Sequence, residues 1–261
     1  MDRSSTLLCL AMLALGATAA ACQSDPDPGP GQEARVGVGS PELQAARIRP
    51  GVDTLVFLRG TGDAEQPVPG LVLTLRTTLE GDGPGAVVVR EEETRGRNGT
   101  VVDADSFVLA RPSLAPVRQR SAGGQGERTL RFDGRRVQGS RTGPGMQTPV
   151  DVALEEPVFY ANSLDLVLSA LPLREGYAAR IPVFDAGSGA VAELRARVAG
   201  AETVRTADGG SCQAWRVEVA GGSSNGTYWI ERSGRGLVRY NAAQGEMRML
   251  RKSGCGGRAA T

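Results

Sequence analysis

YAARIPVFDAGSGAVAELRARVAG, residues 177–200, consists of two strand-like runs joined through DAGSGA. In the second run Leu194, Ala196 and Val198 share one face while Glu193, Arg195 and Arg197 take the other. Successive side chains of an extended chain point to opposite faces, so this period of two describes a strand with one dry side and one wet side. Such half-wet strands belong to antiparallel sheets.

The alternation continues in both directions. CQAWRVEVAGGSSNGTYWIERS (212–233) sets Trp215, Val217 and Val219 inward and Arg216 and Glu218 outward, and GLVRYNAAQGEMRML (236–250) adds a hairpin. Toward the amino end come DTLVFL (53–58), LVLTLRTTLE (71–80), GAVVVREEE (85–93) and GTVVDADSFVLA (99–110). ERTLRFDGRRVQGSR (127–141) follows, with a hairpin turn at its Asp-Gly. Roughly a dozen strands with turns every 8 to 12 residues predict a mainly β fold, a curved antiparallel meander or half-barrel.

One segment breaks the period. Leu164, Val167, Leu168 and Leu171 recur at the three-and-four spacing of a helix face. Asn162 or Ser163 is placed to cap its start, and Pro172 to end it, which gives a short helix of about ten residues. Its stripe is read as packing on the sheet, where these four side chains would line, or plug, any cavity beneath it.

Composition narrows the function. Thirty basic residues face 29 acidic ones, so no overall field steers the chain to nucleic acid. The sequence has no histidine, which removes Ser-His-Asp and Cys-His nucleophiles and histidine zinc sites together. Carboxylates remain. Glu91, Glu92 and Glu93, like Glu155 and Glu156, are neighbours that alternate between faces, and they are read as solvated charge at strand edges. Asp103 and Asp105 share a face but are too few for a calcium site. The expectation is a chain without catalytic residues, metal or cofactor. A cleft where acidic side chains meet would reopen the question of a carboxylate-dependent hydrolase.

The first 21 residues have the layout of an export signal: Arg3, an apolar run from Leu7 to Leu15, then small residues to Ala21. Two cleavage readings meet at Cys22: small residues at Ala19 and Ala21 suit the ordinary signal peptidase, which would leave a plain cysteine, while AAAC, residues 19–22, resembles the lipobox of bacterial lipoproteins, which implies that Cys22 becomes the acylated first residue of the mature chain. Setting aside Cys9 and Cys22 leaves Cys212 and Cys255, an even number suited to one disulfide. QSDPDPGPGQE after Cys22 offers nothing apolar to bury. The organisation expected is therefore a signal peptide (1–21), a lipidated disordered tether (22–40), one β-rich domain (41–255) and a disordered tail (256–261).

The order of FVLARPSLAPVRQRS, ERTLRFDGRRVQGS, LDLVLSALPLREGY, VAGAETVRTADGGSCQAWRVEV and GTYWIERSGRGLVRY resembles a bacterial envelope family, the domain of unknown function numbered 3108. The likeness covers about residues 100–251 and departs at LARPSLAP, where Ala110–Arg111 replaces the family's acidic residue. It implies a curved antiparallel sheet wrapped round a helix, similar to lipoprotein-carrier folds that hold acyl chains. The function expected is an exported, lipid-anchored, non-catalytic envelope protein of the outer membrane facing the periplasm. Its sheet would bind a lipid-like ligand or a partner lipoprotein, or it would serve as an interaction module of an envelope assembly.

Overall fold

The computed structural model describes residues 33–60, 62–124, 126–143, 146–245 and 247–255. The amino-terminal half supplies β1 (Ala34–Arg35), β2 (Gly51–Arg59), β3 (Gln66–Glu80), β4 (Val87–Arg95) and β5 (Val101–Ala110). It continues with β6 (Pro116–Gly123), β7 (Gly126–Asp133), β8 (Arg136–Gly143) and β9 (Met146–Ala153). After β10 (Phe159–Tyr160) and helix α1 (Leu164–Ala170) come β11 (Ala178–Asp185), β12 (Ala190–Arg205) and β13 (Ser211–Ala220). The set ends with β14 (Gly226–Glu231), β15 (Leu237–Ala242) and β16 (Arg248–Arg251).

These form one 16-stranded sheet, fifteen strands following the order β1-β11-β12-β13-β14-β15-β16-β2-β3-β4-β5-β6-β7-β8-β9 and β10 pairing with β11 off this path. β16 against β2 joins the two halves, and every pairing is antiparallel except those of β1 and β10 with β11. The sheet curves without closing among the described residues, since its path ends at β1 and β9. Short connections make the meander possible: Asp133 pairs Arg136 across a two-residue loop in which Gly134 takes φ +51°. Gly126 does a different job, because a Cβ there would lie 1.8 Å from the Thr142 carbonyl oxygen of the neighbouring strand.

The concave side holds the core. Leu55, Leu75, Val88, Phe107, Leu109, Leu130 and Val137, from β2, β3, β4, β5, β7 and β8, join one core with the helix, all at most 2% exposed. All seven residues of α1 are buried. The helix thus has no wet face: it sits within the curve of the sheet, touching β14, β10 and the 45–47 turn. It is shorter than the ten residues expected, because its first turn is a 3-10 turn (Ala161–Ser163). Neither proposed cap closes it, since the Ser163 hydroxyl donates back to the Tyr160 carbonyl instead.

On the convex side lies a smaller cluster of Val204, Cys212, Ala214, Trp229 and Val238. The register shift between Val198 and Gly200 marks where the inward parity of β12 changes along its length. Cys212 and Cys255 are bonded to each other, tying the chain after β16 to this cluster. The sheet also starts earlier than residue 41. Ala34 and Arg35 pair with Ala179 and Arg180, and Val36 is wholly buried, because alternate small apolar residues suit the free edge of β11. The signal peptide, Cys22, residues 22–32 of the tether and the tail from 256 lie outside the described residues.

Candidate functional site

The register of β3, β4 and β5 builds a polar seam into the concave face. Leu75 stands beside Glu92, and Glu92 beside Asp105; one step along, Thr77 stands beside Arg90 and Arg90 beside Phe107. The reading of Glu92 as solvated edge charge is therefore corrected. β4 is an interior strand, Val88, Arg90 and Glu92 share its inward face, and the Glu92 side chain is 19% exposed. Glu91 and Glu93 keep the outward role, pairing with Arg76 and Arg95, and Glu156 pairs with Arg35 at the surface.

Arg90 anchors the seam. At 1% exposure its guanidinium donates to Thr77 Oγ1 at 2.8 Å and to the Asp165 carboxylate of α1, with Nε 3.4 Å from Glu92 Oε1. Burial works against its charge, yet Asp165 and Glu92 more than offset that and hold its pKa above the ordinary value. Glu92 goes the other way. Burial, joined by the charges of Asp165, Asp105 and Asp103 and opposed by Arg90, pushes its carboxyl up from 4.5 to about 8. It is thus mostly protonated at neutral pH, which relieves the like-charge conflict of a directly opposed Glu–Asp pair.

Further polar contacts lead across the sheet. Gln119 Nε2 donates to Asp105 Oδ1 at 3.3 Å, Arg128 Nε donates to Gln119 Oε1 at 3.4 Å, and Arg128 Nη2 donates to the Tyr160 hydroxyl at 3.2 Å. Asp103 is raised by burial and by Asp105, against the pull of Arg128.

Beside this seam the core leaves a groove of about 490 Å³. Phe57, Leu73, Leu75, Leu237 and Met249 form its apolar wall, with the rings of Tyr228 and Tyr240 4.6 Å apart. Glu92, Asp103, Asp105 and Asp165 make up its acidic side, with Glu92 next to Leu75, and no arginine or lysine among the described residues lines it. Its volume falls in the range of small-molecule sites, and its make-up, apolar with a few convergent polar groups, is the usual one for them. Among the described residues no group of three or more acidic or cysteine side chains is arranged to hold a metal ion.

Of the four helix residues expected to line a cavity, only Leu164 does. Val167, Leu168 and Leu171 are fully buried and belong to the packed core, because the helix is surrounded rather than laid on a surface. Sequence reading passed over Asp165 and Arg90. The available signals were a carboxylate inside an apolar helix and an arginine in phase with Val88.

Three solved structures resemble the chain at low identity. A protein from Bacteroides fragilis described as exported, with a YmcC-like fold, is 11% identical at a TM-score of 0.35, over 78% of this chain and 95% of its own. A lipoprotein so described from Parabacteroides distasonis is 11% identical at 0.32, over 85% and 98%. A β-barrel-like protein of the DUF1849 domain of unknown function from Brucella abortus is 10% identical at 0.36, over 79% and 96%. No curated protein matches. The family model described as "Protein of unknown function (DUF3108)" matches residues 71–248, from β3 to the start of β16, and the chain belongs to that family.

Proposed function

We propose that the protein is a non-catalytic lipoprotein of the cell envelope, exported and anchored through acylated Cys22, whose curved sheet binds a lipid-like ligand. The observation that carries this reading is the groove of about 490 Å³ beside Leu164, lined by Phe57, Leu73, Leu75 and Met249. The export-signal layout of residues 1–21 and the lipobox-like AAAC support the compartment, and Gln23 after the cysteine is compatible with passage to the outer membrane. Lipid extraction and native mass spectrometry of the full exported chain test it. The expected result is a non-covalent lipid at about one per chain; a ligand-free protein that takes up no single-chain amphiphile overturns it.

A second reading, a carboxylate-dependent hydrolase, is favoured by Glu92 standing opposite Asp105 in that groove. A carboxyl still protonated at neutral pH beside a second carboxyl is the arrangement of acid and base partners. Hydrolysis of glycan or peptide substrates that disappears in Glu92→Gln would favour it over simple binding.

A further inference from the structure

We propose that the groove selects a lipid with a cationic amine head group, its tail lying on the apolar wall and its cation held among Asp103, Asp105 and Glu92. This rests on the lipid-binding reading above and narrows it. The argument is charge complementarity. Three aspartates, the mostly protonated carboxyl of Glu92 and no basic side chain line the groove among the described residues. Arg90 accounts for Asp165 and stands beside Glu92, but it is 1% exposed and sits behind them. Asp105 is met by the neutral Gln119 amide, and Asp103 lies on the same strand face two residues away. Arg128, bonded to the other end of the Gln119 amide, offsets part of the Asp103 charge, but Asp103 and Asp105 share that one cation, so acidity on that side exceeds its local neutralisation.

An anionic head group would have to enter among like charges, which is unfavourable. A neutral tail would gain from the apolar wall and leave the carboxylates unused. An amine satisfies both sides at once, since a cation beside Asp103 and Asp105 stays paired while its methylenes leave water.

The cation also acts on Glu92. The charged groups facing this carboxyl are Arg90 on its own strand, Asp103 and Asp105 on β5 and Asp165 on α1, while its β3 neighbour is the uncharged Leu75. A positive head group favours the ionised form, so binding near pH 7 expels a proton.

The test uses the full chain and three twelve-carbon amphiphiles below their micellar concentrations: dodecyltrimethylammonium, dodecanoate and neutral monododecanoylglycerol. Titration calorimetry is expected to show the ammonium binding about tenfold or more tighter than dodecanoate. Its heat should vary with the ionisation enthalpy of the buffer, reporting the released proton. Asp103→Asn with Asp105→Asn should abolish the preference, with an unchanged circular dichroism spectrum certifying that the variant is folded. Glu92→Gln should remove the buffer dependence. Equal binding of all three probes overturns the head-group proposal and leaves a general lipid site standing; no binding of any probe overturns both. Recovery of the groove filled by a second copy of the chain, or by a basic peptide, assigns it to a protein partner and overturns the proposal as well.

Discussion

Arg90 and Asp165 are opposite charges removed from water together, and the helix position depends on that pairing. Truncating Asp165 to Ala leaves a buried guanidinium short of its partner, and the expected cost is about 3–5 kcal/mol by urea denaturation. Glu92 gives the fold a pH dependence of definite sign. Its folded pKa is about 8 against an ordinary 4.5, so between those values the folded chain binds more protons than the unfolded one. Its contribution to stability is therefore largest below about 4.5 and falls as pH rises toward about 8. Denaturation midpoints at pH 5, 7 and 9 should decline in the wild type and flatten in Glu92→Gln. Parity along VVVREEE already puts Val88, Arg90 and Glu92 on one face. Which carboxylate would meet Glu92 was not legible, because that depends on the register of β4 against β5.

At the scale of elements, α1 acts as the core's filling. Leu168 is fully buried within the curve of the sheet, and Leu168→Ala should cost about 2–5 kcal/mol, read from the same denaturation curves. A helix stripe was legible from spacing, but the spacing alone suggested a helix lying on a sheet with one side wet. The surrounding sheet buries Asp165 and Ser169 as well, so the amphipathic pattern understated the burial. The disulfide secures a second element. Cys212 and Cys255 are 43 positions apart, and closing such a loop stabilises by about 3–4 kcal/mol in the chain-entropy model. Reduction should lower the melting temperature by roughly 5–15 °C, measured by circular dichroism with and without reductant. The open edge at β9 carries Pro149, whose missing N–H withholds a donor from any added strand. That disfavours docking by strand addition at this edge.

For the whole molecule, the curved sheet brings residues from both ends of the chain to one groove. β16 pairs with β2, so Met249 and Phe57 are direct neighbours although the strands between them in sequence build the rest of the sheet. The domain is thereby knit into one sheet. Replacing Cys22 with Ala is expected to release the exported protein from the membrane fraction without changing its melting temperature, as fractionation and calorimetry would show. Intact mass of the wild-type amino terminus should carry the added acyl groups; an unmodified start removes the anchor.

The fold class followed from the sequence alone, because alternation with a period of two and frequent turn residues are local properties that only an antiparallel meander satisfies throughout. The pairing of the last two cysteines also followed, from counting thiols on the expectation of an exported chain with Cys22 acylated. What only the tertiary structure decided is the site. Glu92, Asp103, Asp105 and Asp165 come from two strands and a helix, and the groove beside them is space left by packing. Register, curvature and the depth at which the helix sits are set by contacts between residues far apart in the chain, and no local pattern encodes where such contacts leave a gap.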